Sequence, residues 1–221
     1  MYLLEEIVRR YRVYCTNLPF WISTALSAFA FATALATNNV AIIYATERAS
    51  NPVTDLILSN IPVFDVDGIF VYGIALFILF VVFVLLLNPK QIPFTLYSLA
   101  IFFLVRAIFI SLTHMGPFPT QTPIQFTSGI GIYLSNLFLV GDDLFFSAHT
   151  GAPFLLALVF WRQPLLRYIF LASSIFFGSI ALLGHIHYSI DVAAAFFISF
   201  GIYHIALKLF EPQHELFLSK K

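Results

Sequence analysis

Long apolar stretches separated by short polar segments dominate the chain. A transmembrane helix needs about 20 mostly apolar residues to cross roughly 30 Å of hydrocarbon, and six stretches approach or exceed that length. The six predicted spans lie near residues 18–44, 68–88, 94–113, 144–161, 166–184 and 188–209. The pattern predicts an all-α, polytopic membrane protein, a bundle of about six transmembrane helices that forms a single domain over residues 1–221.

The overall composition supports this interpretation and excludes several classes of protein. The 221 residues are 60% hydrophobic and 10% charged, with a mean hydropathy of +0.93. A formal net charge of zero leaves no basic surface that could neutralise nucleic-acid phosphates. The lone Cys15 excludes an intramolecular disulfide and a metal site built from several cysteines, and we expect no cofactor.

The basic residues predict the orientation of the chain. Residues 1–15 carry charges without the apolar core of a removed signal peptide, and we expect an interfacial helix there. With six crossings, nine of the eleven basic residues lie on one side, which the positive-inside rule makes cytoplasmic. These nine are Arg9, Arg10, Arg12, Lys90, Arg162, Arg167, Lys208, Lys220 and Lys221. Both termini are therefore predicted to be cytoplasmic.

Two polar segments begin apolar stretches on the predicted extracytoplasmic side. The first is GDDLFFSAHTG over residues 141–151, and the second is HIHYSID over residues 185–191. Ionisable groups at membrane depth are costly, and they usually serve a function. We therefore interpret the chain as a scaffold that brings the two segments together in one site.

The spacing within these segments predicts a nucleophile and an acid/base group. His187 and Asp191 are four residues apart, which would place both side chains on one face of the sixth helix. The carboxylate can hold the proton on one imidazole nitrogen and leave the other nitrogen as a nucleophile. His149, at the start of the fourth helix, can act as general acid and then as general base.

Four further residues are predicted to bind the substrate. Free amides at a helix start favour an anion, and Ser147 and Ala148 lie at such a start. Arg106, in the third span, offers a guanidinium group that suits a phosphate, with snorkelling to the interface as the alternative. Asp142 precedes the fourth helix, where it would either shape a headgroup site or cap the helix.

The two polar segments resemble a known family. SAHT and HYSID are similar to the SGHT and HYTID segments of the sphingomyelin synthase group, within the type 2 phosphatidic acid phosphatase superfamily of lipid phosphatases and phosphotransferases. The resemblance implies that His187 is the nucleophile that takes the phosphoryl group or phospho-headgroup. It also implies that Asp191 is the partner of His187 and that His149 is the acid/base.

The resemblance extends to other parts of the chain. The loop NPVTDLILSNIP over residues 51–62, the segment from Arg106 to Pro119 and the pair Gly141-Asp142 are similar to the same group. Ala148 stands where that group has glycine. The K-x6-RP signature of the ordinary phosphatases is absent, which favours the synthase branch.

The predicted function is transfer of a phosphate or phospho-headgroup from a phospholipid donor, through a phosphohistidine intermediate, to a lipid alcohol. Hydrolysis, with water as the acceptor, is the alternative within the same chemistry. Three other classes stay open: an intramembrane serine protease using Ser147, a metal enzyme with His149, His187 and Asp191 as ligands, and a non-catalytic lipid-binding or transport protein.

Overall fold

A computed structural model describes residues 16–121 and 144–219, together with residues 5, 8, 9, 11, 12 and 14. The described residues form helices and no strand, which confirms the all-α prediction. In chain order the helices are α1 (Leu18–Glu47), α2 (Asp67–Leu87), α3 (Ile92–Leu112), α4 (Ala148–Val159), α5 (Pro164–Leu183), α6 (Ser189–Leu209) and α7 (Glu211–Leu218), with a short 3-10 helix, Pro89–Gln91, between α2 and α3. The interfacial helix expected over residues 1–15 falls mostly outside the described residues.

Five of the described helices, α1, α2, α3, α5 and α6, are long and apolar enough to cross a membrane. The chain is accordingly a multi-pass membrane protein. The predicted span over residues 144–161 is wrong in its length, because α4 has only 12 residues and rises about 18 Å. Phe145 and Phe146 have positive φ angles of 83° and 52°, and backbone in this left-handed conformation cannot continue a helix. The chain therefore turns just before α4 begins.

The most extensive helix contact joins α1 to α3. Ser27, Ala34 and Ala41 recur every seven residues along α1, and all three are buried. Small side chains at a helix contact let the two backbones approach closely. The first span packs through its small residues, as its alanine content predicts.

The short helix α4 is held between α3, α5 and α6. A Cβ atom added at Gly151 would lie 2.8 Å from the Phe102 ring and 2.9 Å from the Ser199 hydroxyl oxygen. The Ser199 hydroxyl donates to the carbonyl of Gly151 at 3.1 Å, and Ser174 donates to the carbonyl of Thr150 at 2.7 Å. These contacts set the depth of α4 in the bundle.

The helix α2 lies at the side of the bundle, against α5. Phe70 and Ile74 on α2 pack on Phe177 and Ala181 of α5. Between α2 and the α1–α3 pair there is a cavity of about 500 Å³. One helix of the bundle is thus separated from the two helices that face it.

Candidate active site

Four connecting segments meet at one end of the bundle, which we call the site end. They are the described residues 48–66, 113–121, 144–147 and 184–188. The backbone amide of Ser147 donates to the carbonyl of Asp191 at 3.1 Å, and that of Phe64 donates to the carbonyl of Leu183 at 2.9 Å. The two polar segments predicted to form one site are therefore joined directly.

The predicted pair of His187 and Asp191 is in contact. Nδ1 of His187 lies 3.3 Å from Oδ2 of Asp191, and the two side chains are 1% and 0% exposed. The same carboxylate oxygen accepts the backbone amide of Tyr188 at 3.0 Å. The predicted placement on one helix face is wrong, because α6 begins at Ser189 and His187 precedes it. The contact closes the N-terminal turn of α6, with Asp191 as part of a capping box.

One polar atom of each of these two side chains has no hydrogen-bond partner in the part of the chain that the structure describes. Nε2 of His187 and Oδ1 of Asp191 are buried and accept or donate no hydrogen bond among the described residues. Buried polar atoms are usually paired, so such exceptions point to a strained or functional group. With Nδ1 facing the carboxylate, Nε2 is the nitrogen that can offer a lone pair.

His149 lies beside this pair, in the first turn of α4. Its ring centroid is 5.9 Å from that of His187, and 4.6 Å from that of Phe70, which meets it edge to face. His149 also lines the cavity between α2 and the α1–α3 pair, whereas His187 and Asp191 do not. The two histidines that the sequence places 38 residues apart are neighbours in the structure.

Arg106 is buried in the protein rather than extended to the membrane interface, with 1% of its surface exposed. Its Nε donates to the carbonyl of Phe146 at 3.3 Å, and one terminal nitrogen donates to Oδ1 of Asn38 at 3.0 Å. Arg106 lines the same cavity as His149. The guanidinium group thus ties α3 to α1 and to the turn before α4.

The other predicted substrate-binding residues differ in their surroundings. Ser147 is fully buried, and its hydroxyl has no hydrogen-bond partner among the described residues, so a Ser147–histidine dyad is not formed. Ala148 is half-buried and lines the cavity beside His149. Asp142, with its neighbour Asp143, lies outside the described residues.

Asp55 is a residue of the site end whose contacts the sequence did not reveal. Its Oδ2 accepts the backbone amide of Ser189 at 2.7 Å and the Ser189 hydroxyl at 2.8 Å, while Oδ1 accepts the amides of Ile57 and Leu58 at 2.9 and 3.0 Å. Burial raises the pKa of Asp55, but these hydrogen bonds outweigh burial and hold the pKa below the usual 3.8. The loop after α1 therefore caps the start of α6.

Tyr188 joins three of the segments at the site end. Its hydroxyl donates to the carbonyl of Gly116 at 2.8 Å and accepts the amide of Val53 at 3.2 Å. Burial raises the pKa of Tyr188, the Val53 amide lowers it, and the Asp191 and Asp55 carboxylates raise it; the net direction is upward. The phenol therefore keeps its proton at neutral pH and stays a donor.

Three other histidines have local hydrogen bonds or ring contacts away from the His187–Asp191 pair. The ring of His114 meets Tyr44, and His204 is exposed with its Nδ1 donating to the carbonyl of Phe200 at 2.9 Å. His185 is buried at a φ of 52°, with Nδ1 against the Thr120 hydroxyl. Within the described ranges, no group of three His, Cys, Asp or Glu residues could hold a metal ion.

Comparison with known families supports the resemblance to the superfamily, but it does not reach the sphingomyelin synthase group within it. Residues 141–208 match the model of the PAP2 superfamily C-terminal domain. This match covers about a third of the chain and includes His149, His187 and Asp191. Members of this type 2 phosphatidic acid phosphatase superfamily are phosphatases or phosphotransferases acting on lipid phosphoesters. No curated protein and no solved structure matches the chain.

Proposed function

We propose that this chain belongs to the type 2 phosphatidic acid phosphatase superfamily and that it transfers a phosphate or phospho-headgroup from a phospholipid to a lipid alcohol. The transfer would resemble that of the sphingomyelin synthase group, with the whole chain acting as one integral-membrane domain. The observation that carries the proposal is the buried contact of His187 with Asp191, beside His149, in the part of the chain that matches the family.

The first step forms a phosphohistidine. Asp191 holds the proton on Nδ1 of His187, and the lone pair on Nε2 attacks the phosphorus of the donor lipid. The bond between phosphorus and the leaving alcohol oxygen breaks, and His149 donates its proton to that oxygen. The donor departs as an alcohol, and its phosphoryl group or phospho-headgroup stays on His187.

The second step reverses these roles. His149, now neutral, takes the proton of the acceptor hydroxyl, and the acceptor oxygen attacks the phosphorus. The bond between phosphorus and Nε2 of His187 breaks, so that the histidine is restored and His149 is protonated again. Each group returns to its starting state. Neither step changes an oxidation state, so the reaction as written balances without a redox partner.

The helix starts at the site end support an anion site on α4 rather than on α6. The first amide of α6, at Ser189, already donates to the carboxylate of Asp55. No side-chain cap is seen at the start of α4 among the described residues, and a helix start favours an anion such as the transferring phosphate. Arg106 adds a fixed positive charge nearby.

Burial supports a lipid alcohol over water as the acceptor. His187 and Asp191 are 1% and 0% exposed, and a phosphohistidine shielded from water survives until an alcohol reaches it. Hydrolysis, with water as the acceptor, is the second candidate function, because the two mechanisms share every residue. Non-catalytic lipid binding is the alternative from another class.

The charge distribution supports an active site at the extracytoplasmic face, with both termini cytoplasmic. Among the described basic residues of the connections, Lys90, Arg162 and Arg167 lie at or beside the end opposite the site end, and Arg48 lies at the site end. Basic residues favour the cytoplasmic side. The site end then faces outward, towards the outer or lumenal leaflet.

The test is lipid mass spectrometry on the purified chain in liposomes, with a panel of phospholipid donors and with or without ceramide or diacylglycerol. We expect a new phospholipid that carries the donor headgroup on the added alcohol, and its loss in His187→Ala and Asp191→Asn. Release of free headgroup, with or without added alcohol, would establish the hydrolase instead.

His204→Ala is the matched control, because His204 lies on α6 but is exposed and distant from the pair. It should retain the wild-type rate. Full turnover by His187→Ala, or no turnover of any phospholipid by the wild type, would contradict the proposed function.

A further inference from the structure

The cavity between α2 and the α1–α3 pair is apolar along most of its wall. The polar side chains among the residues that line it are Asn38, Asn39, Arg106 and His149. The rest of the wall consists of aliphatic and aromatic residues, alanine and proline. A volume of about 500 Å³ lies within the range of ligand pockets, roughly 300 to 1,000 Å³.

The cavity runs from the level of the proposed active site towards the opposite end of the bundle. On α3 the wall extends from Arg106 to Leu96, and on α2 it extends from Ile74 to Leu85. At a rise of 1.5 Å per residue these stretches are about 15 and 16 Å long. That length is close to half of the roughly 30 Å hydrocarbon core, which is the depth of one leaflet.

One leucine from each of three helices lines the inner end of the cavity. Leu85 of α2, Leu96 of α3 and Leu156 of α4 line the end farthest from His149. Leu85 and Leu156 are buried, with 8% and 2% of their surfaces exposed. Beyond them the 3-10 helix and α7 cover this end of α3.

The wall that α2 contributes is less enclosed. Ile78 and Val82 line the cavity and are also 37% and 47% exposed. These two residues lie in the middle of a helix that is long and apolar enough to cross a membrane. A lipid tail can therefore pass beside α2 from the bilayer without crossing a polar surface.

From these features we infer that the cavity binds one fatty acyl tail of a membrane lipid and that Leu85, Leu96 and Leu156 limit the tail length. This inference rests on the proposed function, because the tail would belong to the lipid whose phosphate reaches His149 and His187. A tail fits where a polar metabolite does not, since the cavity offers hydrogen-bonding groups only at the end next to the active site.

The direct test uses phospholipids with a photolabile diazirine at a defined carbon of one tail, in liposomes with the full chain. His187→Ala is labelled beside the wild type, so that the result does not depend on turnover. We expect a diazirine at the tail end to label Leu85, Leu96 or Leu156, and one near the tail carbonyl to label residues beside Arg106. Labelling of only the outward residues of α2, such as Leu79, would overturn the inference.

A pair of adjacent substitutions tests the length limit. Leu85→Phe narrows the inner end, and Leu86→Phe is the matched control, because Leu86 is 53% exposed and does not line the cavity. We expect Leu85→Phe to lower the ratio of long-tail to short-tail labelling about tenfold, and Leu86→Phe to leave it unchanged. An equal ratio in the two variants would contradict a tail-length limit at Leu85.

The two proposals can fail separately in these experiments. Cavity labelling in a chain that turns over no phospholipid would leave the acyl site standing and remove the proposed reaction. Turnover by the wild type without any cavity labelling would remove the acyl site and leave the reaction.

Discussion

The two ends of the helix bundle differ in their most deeply buried contacts between segments. At the site end, Asp55 and Tyr188 make directional hydrogen bonds to backbone groups of distant segments. At the opposite end, Phe217 of α7 packs between Phe94 and Phe160, with ring centroids 6.0 and 5.1 Å away. Tyr97 stacks on Phe210 nearby, at 4.1 Å.

The two kinds of contact suit the different tasks of the two ends. A histidine can act on a phosphorus atom only if its angle and distance are fixed, and fixed geometry needs directional bonds. Closing the inner end of a cavity needs filled space, which apolar packing provides without directional bonds. The site end should therefore respond to loss of single polar atoms, and the opposite end to loss of volume.

The largest expected effect is on catalysis at the site end. His187→Gln removes the nucleophilic nitrogen and should lower phospholipid turnover on the order of 10³-fold or more. The folded fraction in detergent should stay near that of the wild type, because glutamine keeps a polar group near Asp191. Headgroup transfer measured by mass spectrometry checks this, with His204→Gln as the control. A loss of less than tenfold would contradict a phosphohistidine on His187.

Loss of volume at the opposite end should mainly affect stability. Phe217 is 3% exposed, and Phe217→Ala should destabilise the chain by about 3 kcal/mol. Turnover per folded molecule should be unchanged, because α7 does not line the cavity. Thermal unfolding in detergent measures the loss of stability, and a lipid assay normalised to folded protein measures turnover. A loss of activity without a loss of stability would contradict the separation of the two ends.

Removal of the carboxylate that caps α6 should affect both stability and rate. Asp55→Ala leaves the amide and hydroxyl of Ser189 without their acceptor, which should cost about 2 kcal/mol of unfolding free energy. Turnover should also fall, because His187 precedes the helix start that Asp55 caps. Asp65→Ala is the control, since Asp65 lies exposed in the same loop. Equal behaviour of the two variants would show that the cap is dispensable.

A smaller effect is expected from the phenol that joins the loops. Tyr188→Phe keeps the ring and removes the bonds to Gly116 and Val53, at a cost of about 1 kcal/mol. The reaction should persist at a reduced rate, because Tyr188 does not enter the chemistry. The free energy of unfolding and the rate of lipid turnover, both measured on Tyr188→Phe and the wild type, check these two expectations. Complete inactivation of a folded variant would give Tyr188 a direct role.

The smallest effect is a dependence of stability on low pH. The pKa of Asp55 is below 3.8 in the folded chain, so the unfolded chain binds more protons in that range. The contribution of Asp55 is therefore complete above pH 3.8 and is lost as the pH falls through the lower, native pKa. Asp55→Asn should flatten this part of the stability curve. An unchanged slope between the variant and wild type would contradict the lowered pKa.

The sequence predicted the helices well where an apolar run ends at a polar or proline-containing segment. The five long spans lie close to their predicted positions, because each is a local run of apolar residues between polar or proline-containing segments. The start of α4 was misplaced because residues 144–146 are apolar but the chain turns at Phe145 and Phe146. Hydropathy cannot distinguish an apolar turn buried in protein from the first turn of a span.

Parts of the candidate site were also predictable. His187, Asp191 and His149 were identified because ionisable residues stand out in an apolar chain, and the first two are close in sequence. Their contact and the proximity of His149 agree with the prediction, although their roles in catalysis stay a proposal. That Asp55 is a loop and cap residue could be expected from the sequence, but the helix that it caps could not, because Ser189 lies 134 residues further along the chain.

What the sequence by itself determined is therefore local: where the chain is apolar enough for a membrane, and which polar groups are too costly to be there by chance. Tertiary structure alone decided which of these groups meet, how short α4 is, and that α2 stands apart from α1 and α3 to leave a cavity. The physical reason is that hydropathy depends on the composition of one segment, whereas a contact or a cavity depends on how side chains of several segments pack together.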